Sequence, residues 1–211
     1  MPLDTLSLRK GLVIGSALVY WAGVFIQIQR VRKHIGRSPN VRPRGPKERV
    51  LWFGWFLVVA GWLTQPFVIG KFNGPLFYLI PFLMDPIGFL LGLLVVLGGY
   101  TGTQWCYTAL GDAWRMGIRR REKTALVRTG PYRYVRHPIY LFQIAMLLGA
   151  ILLLPTPFSF ILFFVHFLCV VIKAVDEEAY LLRVHGSEYQ VYLSSTGRLL
   201  PRMSVFLKHH S

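Results

Sequence analysis

Apolar runs about 17–25 residues long alternate with short polar connections along this chain, the pattern of helices that cross a bilayer. Five runs stand out, at about 11–29, 50–69, 86–110, 138–154 and 158–174. An apolar lead-in over 76–83 is broken from the third run at Asp85-Pro86, where proline suits a helix start. Pro155-Thr156-Pro157 joins the last two runs as a tight hairpin. The pattern predicts an all-α integral membrane protein with about five transmembrane helices. A loop over 111–136 and a C-terminal helix complete it. The chain divides at about residue 110 into three N-terminal helices (1–110) and a second part (111–211) built around the hairpin 138–174, within one structural domain overall.

The connections carry the charge. Arg30, Arg32, Lys33, Arg37, Arg42, Arg44, Lys47 and Arg49 fill the first, and Arg115, Arg119, Arg120, Arg121, Lys123, Arg128, Arg133 and Arg136 fill the third. The connection 70–85 holds Lys71 alone and the Pro155–Pro157 turn holds none. Positive loops stay cytoplasmic, so the alternation predicts the N-terminus outside and the C-terminus inside, with Arg9 and Lys10 on the less favoured side.

Composition narrows the function classes. The net charge of +15 is of a size often seen in nucleic-acid binders, but 54% hydrophobic residues leave little soluble surface for one. Cys106 and Cys169 lie within apolar runs, against a disulfide framework or a metal site. No metal is expected, and His209 and His210 read as tail residues. The first apolar run is too long, and lacks the small-residue cleavage pattern, for a cleavable signal peptide.

Three features after residue 110 could carry chemistry. One is the segment 124–140, ending in His137-Pro138-Ile139-Tyr140, where His137 and Tyr140 fall on one helix face. As topology alone, it is a helix start at the membrane surface. The second is the acidic run Asp176-Glu177-Glu178, three of only nine acids, at the end of an apolar span and one turn after Lys173. Clustered like charges at a membrane surface need a positive answer, from an incidental ion pair with Lys173 or from a bound polar ligand. The third is Tyr189 and Tyr192 with Arg198 and Pro201, which by themselves read as interface anchors and a helix end.

Taken in order, the motifs Leu126-Val127, Gly130, Tyr132, Arg136-His137-Pro138, Tyr140, Glu177-Glu178, Gly186, Tyr189, Tyr192, Arg198 and Pro201 resemble the isoprenylcysteine carboxyl methyltransferase family and its relatives among integral-membrane phospholipid methyltransferases. The likeness covers about 110–202 and makes 111–211 a methyltransferase core. It implies a membrane-embedded enzyme with S-adenosylmethionine as donor and a lipophilic or prenylated acceptor. By resemblance, Thr124, Ala125, Leu126, Val127, Tyr132, His137, Pro138, Ile139, Tyr140, Glu177 and Glu178 would line the donor site, facing the cytoplasm. Lys173 stands where family enzymes hold the substrate with arginine, so it is the candidate for the acceptor's anion; for an amine or thiol acceptor, His137 or a glutamate is the candidate to take the proton.

Lysine offers a point charge instead of a planar fork. The acceptor therefore stays open between a prenylated cysteine carboxylate, a phospholipid amine and a small thiol. Two alternatives remain. One is a non-enzymatic scaffold or transporter subunit whose basic loops bind anionic membrane lipid; the other is a sterol-reductase-like enzyme using NADPH. The oligomeric state is not legible.

Overall fold

The computed structural model describes residues 3–40, 43, 45–72, 74–116 and 125–202, with Leu3 and Asp4 described for the backbone only. Thr124, the arginines at 42, 44 and 119–121, Lys123 and the two terminal histidines lie outside these residues. Among the described residues the architecture is all-helical: α1 Leu3–Ile35, α2 Pro46–Val68, α3 Pro86–Leu110, α4 Pro138–Leu153, α5 Pro157–His185 and α6 Ser187–Ser195.

Helix starts follow local chemistry. Proline opens α2, α3, α4 and α5, where its missing N–H loses nothing and its fixed φ suits the helix. Asp85 caps α3 by accepting from Gly88 N at 2.8 Å, and Thr156 caps α5 by accepting from Ser159 N at 3.1 Å. Gly186, at φ +54°, ends α5 and turns the chain into α6.

Four helices are long and apolar enough to cross a membrane, and α4 is a shorter apolar helix of 16 residues. The third apolar run coincides with α3, whereas α5 continues eleven residues past the expected end at 174. At 1.5 Å per residue its 29 residues extend roughly 44 Å, beyond a hydrocarbon core of about 30 Å. The last turns of α5, carrying the acidic run, thus emerge from the apolar layer.

Glycine brings α3 and α4 together. A Cβ on Gly149 would lie 2.7 Å from Gly92 O and 2.8 Å from Val96 Cγ2, so the backbones approach as only small residues allow. Helix α2 packs along α5, and α1 leans on α2, α3 and α4. Buried Arg9 ties α1 to the start of α3 and the end of α4, donating to Leu152 O at 3.1 Å, Leu153 O at 3.2 Å and Asp85 O at 2.8 Å. A cation inside an apolar bundle is held because those carbonyls answer it. The C-terminal segment folds back: Arg136 N donates to Gly197 O and His137 N to Arg198 O, at 2.9 and 3.1 Å. Tyr192 OH adds a bond to Tyr132 O at 2.6 Å. The segment before α4 and the chain after α6 are thus laced into one unit beside the end of α5.

Candidate active site

Where this unit meets the helices, a cavity of about 600 Å³ opens, within the size range of small-molecule sites. Ala125, Leu126, Val127, Tyr132, His137, Ile139, Tyr140, Lys173 and Glu177 all border it. Of the other residues expected at a donor site, Pro138 and Glu178 lie beside it but are not among its lining residues.

The two glutamates are neighbours in sequence with different surroundings. Tyr140 OH donates to Glu177 Oε1 at 2.9 Å. His137 Nδ1 lies 3.5 Å from Glu177 Oε2, and its ring stacks on Tyr140 at 5.6 Å between centroids and 16° between planes. One carboxylate face of Glu177 is thereby oriented toward the cavity by groups at the start of α4.

Glu178 is instead saturated by cations. Arg136 Nε donates to its Oε1 at 2.9 Å, and Arg198 donates from Nε at 3.1 Å and from Nη2 at 2.7 Å. His137 Nε2 is 3.4 Å away, an ion-pair distance rather than a formed hydrogen bond. Arg136 also donates to the carbonyls of Leu193 and Thr196. Glu178 therefore staples the C-terminal segment to α5.

Burial lowers the pKa of His137, but Glu177 and Glu178 raise it by more, so the net value lies above the ordinary histidine range. Burial, chiefly, pushes the Tyr132 phenol well above its ordinary value, which keeps it a neutral donor. The hydrogen bond with Glu178 raises Arg198 and secures its charge.

Lys173 is different. Its residue is only 6% exposed, it borders the cavity, and it makes no ion pair or hydrogen bond with any described residue. The intrahelical pair with Glu177 considered from sequence does not form. The stem is buried while the ammonium opens to the cavity, so an anion or water there answers its charge. The pairing of an oriented carboxylate with a free ammonium lets one cavity receive a cationic or hydroxylated group and an anionic one together.

Several wall residues were not singled out from sequence. Tyr20, Trp62, Gln143 and His166 border the cavity from α1, α2, α4 and α5. Gln143 and His166 carried a signal, since polar side chains inside apolar spans are expensive and commonly face a site. Exposed Trp21, Trp52 and Phe56 also border it, so the wall between α1 and α2 reaches the lipid-facing surface. No group of three or more His, Cys, Asp or Glu able to hold a metal ion occurs among the described residues.

Comparison with known proteins bears on this half of the chain. Residues 87–188 match the family model for phospholipid methyltransferases. A protein-S-isoprenylcysteine O-methyltransferase from Saccharomyces cerevisiae is 35% identical over 112 residues, 52% of this chain and 46% of that protein. A nickel-cobalt-cadmium resistance protein, NccN, from Alcaligenes xylosoxydans xylosoxydans is 27% identical over 115 residues, 54% of this chain and 50% of that protein. The chain spans about half the length of these curated relatives.

Proposed function

We propose that this multi-pass membrane protein moves a methyl group from S-adenosylmethionine to a lipophilic acceptor bearing an anion, a reading supported by the match of residues 87–188 to the phospholipid methyltransferase model. The observation that carries this reading is the unpaired, buried Lys173 on the same cavity as the oriented Glu177.

The residues present fit the donor. Glu177, held by Tyr140, accepts hydrogen bonds from ammonium or hydroxyl groups, and the Tyr132 and Tyr140 rings offer aromatic faces to a cation. The apolar strip Ala125–Val127 with Ile139 takes a flat apolar moiety. Thr124 is part of the proposal by resemblance alone. Glu178 acts at one remove, by anchoring the segment that closes the site. When bound, the donor supplies a methyl group on a positively charged sulfur.

Lys173 holds the acceptor's anionic group, and the apolar walls around it exclude water. A poorly hydrated carboxylate or thiolate has fewer hydrogen bonds to shed before it reacts. A carboxylate oxygen needs no general base; for a thiol, Glu177 or the neutral form of His137 takes the proton. An ammonium acceptor would meet like charge at Lys173, which places phospholipid amines behind carboxylates and thiols. The Trp21, Trp52 and Phe56 wall gives a lipophilic acceptor a route from the bilayer. The donor enters from the cytoplasm, in the orientation that the loop charges favour.

Calorimetry on the detergent-purified chain tests the donor site. S-adenosylhomocysteine is expected to bind wild type and to lose measurable binding in Glu177→Ala. No heat of binding in wild type at millimolar ligand sinks the proposal.

A further inference from the structure

The deep end of the cavity is not uniformly apolar. His166 sits seven residues before Lys173 on α5, roughly 10 Å further into the bundle along the helix. It borders the cavity at 6% exposure, its Nε2 is buried without a hydrogen-bond partner, and no described residue bonds to its ring. Trp62, on α2 and 5% exposed, also borders the cavity with a buried, partnerless indole Nε1. On the same cavity, Gln143 Nε2 is already committed to Tyr20 OH at 2.5 Å.

Each unanswered group of this kind is costly inside an apolar environment. An all-hydrocarbon tail would leave both as they are. The indole N–H can only donate, whereas a neutral imidazole offers one donor and one acceptor. An uncharged oxygen can answer either group, and a hydroxyl most fully, because it accepts from the indole and can both donate to and accept from the imidazole. A charged group would have to be desolvated at this depth.

Building on the acceptor site proposed above, we propose that the acceptor's lipophilic part carries an uncharged oxygen, a hydroxyl foremost, and that His166 and Trp62 form the subsite that recognises it. Lys173 then reads the anionic head, and His166 with Trp62 reads the body. The substrate class is an oxygenated amphiphilic anion rather than a plain hydrocarbon-tailed one.

The test uses the full chain in detergent, saturated with S-adenosylhomocysteine, and titrates dodecanoate and its monohydroxy positional isomers by calorimetry. At least one isomer is expected to bind roughly threefold to tenfold tighter than dodecanoate, the value of one net hydrogen bond. His166→Leu is expected to erase that advantage while dodecanoate still binds. If His166→Leu does not fold, Trp62→Phe carries the comparison, with a reduced advantage expected. The proposal is overturned if dodecanoate binds in a Lys173-dependent way and no isomer exceeds it, or if the advantage survives in both variants. A different outcome marks failure of the acceptor site itself: dodecanoate binding Lys173→Met as tightly as wild type.

Discussion

Glu177 and Glu178 are adjacent and chemically identical, yet their substitution to glutamine should separate stability from binding. Glu178 and Arg136 side chains are each 9% exposed, and their contact is 2.9 Å. Removing one partner of a buried pair leaves the other charge unanswered, at about 3–5 kcal/mol. The Arg198 side chain is 41% exposed and can turn into water, so the lower end, about 3 kcal/mol, applies to Glu178→Gln. For a chain of this size that corresponds to a fall in Tm of roughly 6–12 °C. Glu177→Gln keeps an oxygen to accept from Tyr140, so its loss should stay below about 1 kcal/mol, or roughly 2–4 °C. Its donor affinity should fall roughly tenfold to a hundredfold, the worth of one hydrogen bond to a charged group. Thermal melts in detergent and calorimetry with S-adenosylhomocysteine measure both. Equal Tm losses in the two variants, or unchanged affinity in Glu177→Gln, would refute the division of labour.

Three further outcomes follow from the same geometry. Lys173→Met should raise the acceptor KM at least tenfold and leave donor affinity within about twofold, as steady-state kinetics would show. Gly149→Val should lower Tm by several degrees, since its Cβ would meet Gly92 O at 2.7 Å and overpacking costs about 1–3 kcal/mol. Because the His137 pKa is raised in the folded chain, the stabilisation from its charged form is full below about pH 6.5, the ordinary value, and fades as pH rises through the elevated one. The Tm difference between wild type and His137→Gln should therefore shrink from pH 6 to pH 9.

The sequence carried most of the scaffold, because four helix starts wrote their own signal: proline in the first turn of α2, α3, α4 and α5, then an apolar run. Helix α5 ran longer than its apolar run because Asp176, Glu177 and Glu178 continue the helix outside the hydrocarbon layer, where hydropathy no longer marks it. The distinct environments of the two glutamates were not legible. They depend on Arg136 and Arg198, which are 62 residues apart and are brought together by the pairing of residues 135–137 with 197–198. The cavity's inner wall was likewise hidden, since Tyr20 and Trp62 sit in spans whose motifs resemble nothing specific. The lone polar residues Gln143 and His166 in apolar runs were the trace that remained.

The most direct test of the account is methyl transfer itself. The purified protein would be incubated with lipid and small-molecule extracts and methyl-labelled S-adenosylmethionine, and the products followed by mass spectrometry. The account predicts a labelled lipophilic ester or thioether that is lost in Glu177→Ala and strongly reduced in Lys173→Met. A label found only on amines, or a labelled product undiminished in both variants, would contradict it.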